Sequence, residues 1–577
     1  MAVTKSNDSP TKNFAVISPL HKHASSNSLS DGNRVLSTST NGWFGAVGSV
    51  AIRYGEKRYF EAKCLTNVRI YFGLSRVLNH NGQDIQDSGV VEGSANFDYM
   101  WRTTSDNEVY YQGSNQSATV SAVSVNDIVS CTTETNGTVK FYKNGTLIHT
   151  FSTTLTDGHV YHPIFSVNGA TSTERVQANF GTGDVTQQED GYTLLTAADI
   201  LSLDGAPAIE DGNTHMQTTI HSGNSSSQTV TQRDRFTGDT AGFTPDWAWI
   251  KSRSFGNGAN AFDSVRGSDK GLAIFDSGAE DDQRDGVTFG ISSDKGTLAF
   301  TGAGASGDIN NSGRTYCAWT WDAGDSNTAV SASGSGDDAI CACTHRANTT
   351  SGISIIKYTG RNGDISNGQH SLVTHGLGVA PKVVWGKNLA AGNDWYVMGR
   401  YDRSSTNDSH LHLNDTAATN GSLFTGTFTD STSTHFTVGN DDLVNKNGDE
   451  FISYAFAEIP GFSRFGFFEG NGQSTNGPFI ELGFKPAWFM WKNVDSSTNG
   501  NWTVMDSGRD PFNMVENNLR MDTSMVQDTG EADLDFLSNG VRHRGGASER
   551  FNTDNQTYLY AAFAEHPFAG STLATAR

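Results

Sequence analysis

The chain has 577 residues, with 63 glycines, only 11 prolines and 10% aromatic residues, which excludes a collagen-like or proline-rich chain and argues against disorder. Its 62 acidic and 40 basic residues give a formal charge of −22, so nucleic-acid binding, which depends on Lys and Arg contacts to phosphate, is not expected. No secretory signal and no apolar stretch of 18 residues is visible, so membrane insertion is not expected either.

Short strand candidates separated by polar turns fill residues 1–190. Asn136-Gly137 and Asn144-Gly145 bracket one of them, and Asn-Gly favours the type I′ turn of a β-hairpin. The pattern predicts an antiparallel meander. The candidates are Gly48–Tyr54, Arg58–Leu65, Val68–Leu74, Phe97–Trp101, Glu108–Tyr111, Ile128–Thr133, Thr138–Tyr142, Val160–Val167 and Val176–Phe180.

Four motifs in this region, taken in order, resemble the SPRY domain. They are Gly55–Glu61, Ile70–Ser75, the run 126–147 with its Phe-Tyr-Lys-Asn-Gly hairpin, and Tyr161–Val167. The resemblance implies a bent sandwich of two antiparallel sheets whose function is recognition rather than catalysis. SPRY domains tend to place their binding loops in the variable middle stretch, so the resemblance makes Trp101, Tyr110 and Tyr111 the ligand-binding candidates.

The two ends of this region resemble SPRY modules of bacteriophage virion proteins. The opening is Asn7–Leu20, and the exit is Gly191–Ala198. A short helix is predicted at Leu194–Ile200, inside a linker that spans 191–212.

Beyond residue 212 the sequence repeats itself three times. In each copy Gly-x-x-Pro is followed, six residues after the proline, by a lysine across a Trp-rich apolar strand. The second and third copies also share a Trp-x-Val strand and an Ala-Phe-Ala-Glu end, to which the first copy has weaker counterparts at near-equal intervals. Because proline lacks an N–H, each is predicted to start a strand at a sheet margin. The proline and lysine pairs are Pro245 and Lys251, Pro381 and Lys387, and Pro486 and Lys492.

The expected architecture is therefore all-β, with tandem antiparallel β-sandwich domains of the jelly-roll or concanavalin-like kind. The domains are a SPRY-like sandwich at 1–190, repeat 1 at 213–325, repeat 2 at 351–460 and repeat 3 at 461–577, with a Ser/Gly/Ala-rich linker at 326–350. The repeats resemble tandem modules in tail-fibre-type virion proteins of marine, cyanophage-like bacteriophages. Repeat 1 departs most, because it ends in Trp319-Thr320-Trp321-Asp322 without the Ala-Glu end.

Candidate catalytic groups are few. Glu458 and Glu565 occupy the same place in two repeats, but no second carboxylate follows at a spacing typical of glycosidases, so both are interpreted as strand-end residues bonded to backbone amides or to the repeat lysine. The Gly302–Gly307 string fits GxGxxG but is followed by a polar, helix-poor stretch, which favours a loop. No catalytic residues and no cofactor are predicted.

No metal site is predicted. His410 and His412, with Asp415, are interpreted as exposed polar positions, since zinc requires three or four ligands. The stretch Asp281–Gly286 weakly resembles a calcium loop without its closing Glu. The five cysteines, which form no CxxC pair, are interpreted as buried free thiols. The Trp residues of the repeat strands are interpreted as the core of each sandwich.

The resemblances imply a non-enzymatic virion structural protein, a tail fibre or fibre-like appendage for adhesion to a host-surface glycan or protein. Alternatives are a capsid decoration or head-fibre protein and, from another class, a polysaccharide-degrading tailspike enzyme. The protein is expected to be made in the host cytoplasm, to assemble with other tail or capsid proteins, and to form a homotrimer. No coiled-coil heptads appear in the sequence to support the trimer.

Overall fold

The structure is a computed structural model of the 577-residue chain. It describes residues 15–22, 28–31, 33–66, 70–75, 98–103, 108–118, 120–156, 160–169, 173–181, 191–195, 208–234, 238–268, 270–280, 287–288, 295–302, 309–366, 368–399, 410–418, 431–472, 477–498, 500–529, 533–544 and 550–567.

The structure is nearly all β, with 50% strand and 3% helix, and the described strand pairs of defined register are antiparallel apart from one short parallel pairing. This confirms the predicted fold class of tandem antiparallel sandwiches. The described helices are three 3₁₀ turns, Gly212–Thr214, Gly336–Asp338 and Asn362–Asp364, and one α-helical turn, Asp442–Asn445. Among the residues described, no helix is long and apolar enough to cross a membrane.

The chain divides into two compact units. Unit 1 comprises Met1–Pro207 and a returning segment, Phe467–Glu481. Its strands are β1 (Ile17–Lys22), β2 (Ser28–Ser30), β3 (Val35–Thr38), β4 (Trp43–Gly48), β5 (Ile52–Arg53), β6 (Arg58–Cys64), β7 (Ile70–Ser75), β8 (Tyr99–Arg102), β9 (Glu108–Tyr111), β10 (Ser114–Asn115), β11 (Ile128–Thr133), β12 (Thr138–Lys143), β13 (Thr146–Thr154), β14 (Val160–Asn168) and β15 (Glu174–Asn179). The returning segment contains β35 (Phe479–Glu481).

Unit 1 is a sandwich of two sheets. One has the strand order β1-β4-β14-β7-β8-β9-β10, with β5 paired to β14, and the other has the order β13-β12-β11-β6-β15-β3-β2. Phe60 from the second sheet lies 5.1 Å from Phe72 of the first, ring centroid to ring centroid, and Phe72 lies 5.8 Å from Phe141. The alternating residues of both inner faces therefore form one aromatic core.

The two Asn-Gly turns of unit 1 differ. Asn144 and Gly145 both have positive φ, +48° and +77°, as the predicted type I′ turn requires. At the other turn only Gly137 has positive φ, and its amide donates to the carbonyl of Glu134. The type I′ prediction is wrong there, because four residues, 134–137, separate the strands instead of two, and this longer loop ends in a left-handed glycine.

The returning segment belongs to unit 1 although the sequence places it within repeat 3. The Glu481 carboxylate pairs with the Arg53 guanidinium, and the Phe479 ring lies 6.3 Å from the His162 ring. The structure describes Leu194 and Leu195 outside any helix, and the rest of the helix predicted at Leu194–Ile200 lies outside the described residues.

Unit 2 comprises Ala208–Gly466 and Leu482–Arg577 and contains the three repeats. Its strands are β16 (Met216–Ser222), β17 (Gln228–Thr231), β18 (Trp247–Ser252), β19 (Asn260–Asp263), β20 (Leu272–Ala273), β21 (Val287–Thr288), β22 (Thr297–Phe300), β23 (Thr315–Trp321), β24 (Asn327–Val330), β25 (Ala339–Ile340), β26 (Cys343–Asn348), β27 (Ile353–Thr359), β28 (His370–Thr374), β29 (Val383–Asn388), β30 (Tyr396–Gly399), β31 (Leu411–His412), β32 (His435–Gly439), β33 (Glu450–Phe456), β34 (Ser463–Glu469, which continues into unit 1), β36 (Phe484–Asn493), β37 (Thr503–Asp506), β38 (Leu519–Arg520), β39 (Leu534–Leu537), β40 (Gly540–His543) and β41 (Thr557–Pro567).

The three repeats share one strand order. Their larger sheets run β16-β23-β18-β19-β20, β27-β33-β29-β30-β31 and β34-β41-β36-β37-β38, and in repeat 2 the sheet is extended by β26 and β24. A smaller sheet covers one face: β17-β22-β21 in repeat 1 and β25-β28-β32 in repeat 2, while β39 and β40 form a hairpin in repeat 3. Residues 326–350, predicted as a linker, therefore supply β24, β25 and β26 to repeat 2.

The lysine-bearing strands bury both faces, and alternate residues divide between two cores. In β18, Ala248 and Ile250 lie in the core between the two sheets of repeat 1. Trp247 and Trp249 face the opposite way and pack against the other repeats. The prediction that these tryptophans form the core of each separate sandwich is wrong for this face, because strand alternation points them away from it.

The three repeats close into a ring around a shared aromatic core. The Trp249 ring lies 5.1 Å from Trp385 of repeat 2 and 6.4 Å from Trp488 of repeat 3, and Phe456 of repeat 2 lies 6.1 Å from Phe563 of repeat 3. Each repeat thus contacts the other two. The first and last parts of the ring also meet: a Cβ on Gly212 would stand 1.8 Å from the carbonyl oxygen of Ala564, so only glycine fits there.

Two of the three seams of the ring have the same contact. The Trp395 indole Nε1 of repeat 2 donates to the carbonyl of Ala273 in repeat 1, at 2.7 Å, and Trp502 of repeat 3 donates in the same way to the carbonyl of His412 in repeat 2. The third seam, from repeat 1 to repeat 3, is joined by Trp319 Nε1, which donates to the Asp506 carboxylate at 3.0 Å.

Candidate functional site

The three predicted ligand-binding residues of unit 1 lie in different environments. Trp101 on β8 is fully buried, with its indole 6.4 Å from the Phe141 ring, so it belongs to the sandwich core. Tyr110 on β9 is buried at 8% exposure. Tyr111 is half-buried at the rim of the core, 5.2 Å from the Tyr99 ring. Of the three, Tyr111 is the one whose ring reaches solvent appreciably.

Tyr111 ends β9 beside a tight turn to the edge strand β10. Gln112 and Gly113 have φ of +43° and +77°, the two positive values of a type I′ turn, and Ser114 pairs with Tyr111 across it. The side chains of Ser114, Asn115 and Ser117 are exposed. We call this surface the hairpin edge, residues 111–117: one aromatic ring beside a row of short hydroxyl and amide side chains.

A charged cluster stands behind the hairpin edge. The Glu108 carboxylate accepts hydrogen bonds from the Arg102 guanidinium and from the Tyr110 hydroxyl, and Arg102 lies over the Tyr110 ring, 5.2 Å from its centroid. These contacts fix Tyr110 and Glu108 against β8. The cluster therefore positions β9, and the exposed residues of this surface lie in the segment that follows it.

The repeated glutamates are bound in ion pairs. Glu565 is buried with its carboxylate 2.8 Å from the Lys485 ammonium. Glu458 lies 2.7 Å from the Arg464 guanidinium and accepts from the Phe465 amide. The interpretation of both as structural strand-end residues fits, but their cationic partners are not the repeat lysines. The Gly302–Gly307 string, beyond its first residue, and the stretch Asp281–Gly286 lie outside the described residues.

The repeat lysines lie at the seams of the ring, where all three are fully buried. Lys251 donates to the carbonyl of Thr523 in repeat 3 at 2.6 Å, and Lys492 lies 3.5 Å from the carbonyl of Asp415 in repeat 2. Burial lowers the pKa of Lys251 to about 7, against the attraction of Asp522. It also lowers the pKa of Lys387 and of Lys492 to about 8.

A cluster that sequence reasoning interpreted as exposed lies in repeat 2. His410 is buried, and His412 is partly buried with its ring centroid 5.2 Å from that of His410. Beside His412 stand the carboxylates of Asp394 and Asp415. Asp394 was not predicted, because it lies far from His412 in sequence and only the β30–β31 pairing brings it close. The five cysteines are free and buried, as predicted.

Comparison with known proteins bears on both units. Residues 57–183 match the SPRY domain family, so the chain carries a SPRY domain. Among solved structures it resembles the SPRY domain of human HERC1, at 17% identity and a TM-score of 0.23 over 28% of this chain and 96% of that one. It also resembles a second human SPRY domain, at 15% identity and a TM-score of 0.22 over 28% and 97% of the two chains. No curated protein matches the chain.

The second family match coincides with the ring. It spans residues 211–567, from the 3₁₀ turn at Gly212 that meets Ala564 to the last residue of β41. The strands of all three repeats thus fall within the residues that this one family model matches. The chain belongs to the family described as Domain of unknown function (DUF7483), which it matches over residues 211–567.

Proposed function

We propose that this protein is a bacteriophage virion structural protein, a tail fibre or fibre-like appendage, whose SPRY domain binds a glycan on the host surface. The observation that carries the proposal is the hairpin edge. Tyr111 offers a ring on which a sugar can stack, and the exposed Ser114, Asn115 and Ser117 offer hydroxyl and amide groups for its hydroxyls. The resemblance of the SPRY motifs and of the repeats to phage virion proteins supports the location.

A non-catalytic role is supported by the state of the carboxylates. Glu565 lies within 3 Å of the Lys485 ammonium of its own repeat, and Glu458 lies within 3 Å of the guanidinium of Arg464, at the start of repeat 3. A general acid of a glycosidase must instead hold a proton beside its substrate. We therefore propose adhesion rather than polysaccharide cleavage as the function.

The binding test compares two tyrosines of unit 1. Purified full-length protein is titrated against an array of bacterial surface polysaccharides, as wild type, as Tyr111→Ala and as Tyr54→Ala. Tyr54 is the matched control, because it is an exposed tyrosine outside the hairpin edge. Loss of a stacking contact of about 1.5 kcal/mol weakens binding roughly tenfold in Tyr111→Ala. Equal binding by all three proteins, or shortened polysaccharide chains after incubation, contradicts the proposal.

The same proposal expects tail location and a trimer. Immunogold labelling of phage particles is expected to mark the tail; labelling of the head would favour a decoration protein. Fibres gain avidity from several copies, and the formal charge of −22 opposes self-association at low salt. Mass measurement across salt concentrations is expected to show a homotrimer that strengthens with salt, and a monomer at high salt and high protein concentration would overturn it.

A further inference from the structure

Three metal-ligating side chains of repeat 2 converge at the seam with repeat 3. The Nδ1 atom of His412 lies 3.0 Å from Oδ2 of Asp415 and 3.5 Å from Oδ2 of Asp394. One ligand atom from each of the three residues lies within 4.8 Å of the others. None of the three belongs to the hairpin edge or is used by the proposed function.

The two carboxylates are held so that the same oxygen of each faces the imidazole. Oδ1 of Asp394 accepts from the Asn414 amide, and Oδ1 of Asp415 accepts from the backbone N–H of Ala417, both at 2.8 Å. Asn414 is itself fixed by the N–H of Trp395, which donates to its side-chain oxygen. Partners of this kind orient ligands around protein-bound metals.

An ion pair alone leaves this cluster incompletely satisfied. The Nδ1 atom of His412 carries at most one proton and can donate it well to one carboxylate, yet two carboxylate oxygens face it. The pair of aspartates also exceeds one imidazolium by a unit of negative charge. Two buried ammonium groups interact electrostatically with the carboxylates, Lys492 with Asp415 and Lys387 with Asp394. The hydrogen bonds of both ammonium groups go to backbone carbonyls, those of Gly500 and Asp415 for Lys492 and those of Asn388 and Ala391 for Lys387.

The other repeats lack this set at the corresponding positions. Strand pairing places Ala273 of repeat 1 and Arg520 of repeat 3 where repeat 2 has His412. Counting from those residues, Asp415 corresponds to Asp276 and Thr523. In repeat 3 the guanidinium of Arg520 thus occupies the strand position that the His412 imidazole has in repeat 2. The same position of the fold therefore carries a positive charge in repeat 3.

We propose that Asp394, His412 and Asp415 bind a divalent transition-metal cation such as Zn²⁺. A set of one imidazole and two carboxylates suits such an ion, whose bonds to nitrogen and oxygen are about 2.0–2.2 Å long. Ligand atoms around it stand about 3.4 Å apart. The imidazole nitrogen lies 3.0 Å and 3.5 Å from the two carboxylates, and all three ligand atoms lie within 4.8 Å of one another.

The bound ion would act as a clamp on the seam. The carbonyl of His412 accepts the indole N–H of Trp502, and the carbonyl of Asp415 lies beside the Lys492 ammonium, both from repeat 3. A cation that fixes the side chains of His412 and Asp415 therefore also fixes the backbone that receives repeat 3. Binding to the folded ring alone stabilises it by mass action.

The test is calorimetric titration of ZnCl₂ into chelator-treated, full-length protein, with CaCl₂ as a second titrant. The variants are His412→Ala, Asp415→Asn and, as the matched control, Asp276→Asn, the corresponding aspartate of repeat 1. We expect one Zn²⁺ site per chain, weakened at least tenfold in His412→Ala and Asp415→Asn and unchanged in Asp276→Asn. Zn²⁺ is expected to raise the unfolding temperature of the wild type and not that of His412→Ala.

Three outcomes of the titration would contradict the zinc site. Absence of Zn²⁺ binding, or the same affinity in the wild type and in both repeat 2 variants, overturns the site. Calcium binding that matches zinc and survives His412→Ala would show a general acidic surface instead, since Ca²⁺ takes oxygen ligands. Far-UV circular dichroism of each variant, unchanged from the wild type, separates loss of the ligand from loss of the fold.

Discussion

At the scale of single residues, the repeat lysines show that a sequence repeat identifies a residue but not the residues that it contacts in the folded protein. Lys251 is buried at the end of an apolar strand, and the carbonyls of Asn257 and Thr523 accept hydrogen bonds from its ammonium group. The spacing of the repeat revealed the lysine. It could not reveal its partner, because Thr523 lies in another repeat, and the ring closes between residues far apart in sequence.

The pH dependence of stability tests the burial of Lys251. Its pKa is about 7 in the folded chain and about 10.4 when unfolded, so between these values the unfolded chain binds more protons and stability rises with pH. The change Lys251→Met removes this contribution. As pH rises from 7 to 9, we expect the free energy of unfolding of the wild type to increase relative to that of the variant, by at most about 1.4 kcal/mol per pH unit.

Urea unfolding of both proteins at pH 7, 8 and 9 provides the measurement. The buried thiols also titrate differently in the two states, but both proteins contain them and their effect cancels in the difference. Parallel pH profiles for wild type and variant would mean that Lys251 is solvated in the folded protein.

At the scale of elements, strands were easier to predict than the details between them. The predictions Glu108–Tyr111 and Ile128–Thr133 are confirmed to the residue. The repeat prolines show why the ends of strands are harder to predict than the strands themselves. Pro245 and Pro381 stand two residues before their strands, whereas Pro486 is the third residue of β36, at a bulge where β36 pairs with β41 and not yet with β37. Sequence marks the missing N–H but not the bulge that accommodates it.

Close strand packing in unit 1 makes Gly73 a testable position. A Cβ at Gly73 on β7 would stand 1.9 Å from the carbonyl oxygen of Tyr99 on the neighbouring strand β8. The backbone oxygen cannot move without disturbing the β7–β8 pairing. We expect Gly73→Ala to destabilise unit 1 by about 1–3 kcal/mol, the range typical of overpacked cores, in chemical denaturation.

The control for Gly73→Ala is Gly392→Ala. At Gly392 the nearest atom to a new Cβ is the carbonyl oxygen of Ser277, at an ordinary 3.6 Å. The control is expected to change stability by less than about 0.5 kcal/mol. Equal effects of the two substitutions would refute the steric explanation.

At the scale of the whole molecule, the sequence predicted the number of repeats but not that they pack together around one shared core. Trp249 and Ile250 are adjacent apolar residues on one strand, and nothing in their pattern says that one faces a second repeat and the other its own sandwich. The pairing of Trp249 with Trp385 and Trp488 becomes visible only when all three repeats are in place. Binding residues were harder still, because Trp101 and Tyr111 lie near similar turns yet differ in burial.

The shared core predicts that the ring unfolds in one transition. All tryptophans except Trp43 and Trp101 lie in the repeats, so indole fluorescence reports mainly on the ring. Trp249→Ala removes an indole that contacts both other repeats and is expected to lower the stability of the entire ring by about 3–5 kcal/mol. Its transition should move as a whole during heating.

Trp491→Ala is the comparison, because Trp491 packs within repeat 3, against Phe551. If the ring is one cooperative unit, this change also shifts the single transition. Survival of two repeats at the wild-type temperature, seen as a second transition in either variant, would contradict a shared core.

The contact of Gly212 with Ala564 has a consequence for the order of synthesis. The last strand of the ring, β41, ends at Pro567, so the contact between Gly212 and Ala564 forms only after this strand has left the ribosome. Until then Trp319 and Trp321 of repeat 1 lack their contacts with Asp506 and Trp488 of repeat 3. At a synthesis rate of about 5–20 residues per second, the apolar face of repeat 1 stays uncovered for on the order of tens of seconds. During this time it is open to chaperones and to neighbouring nascent chains.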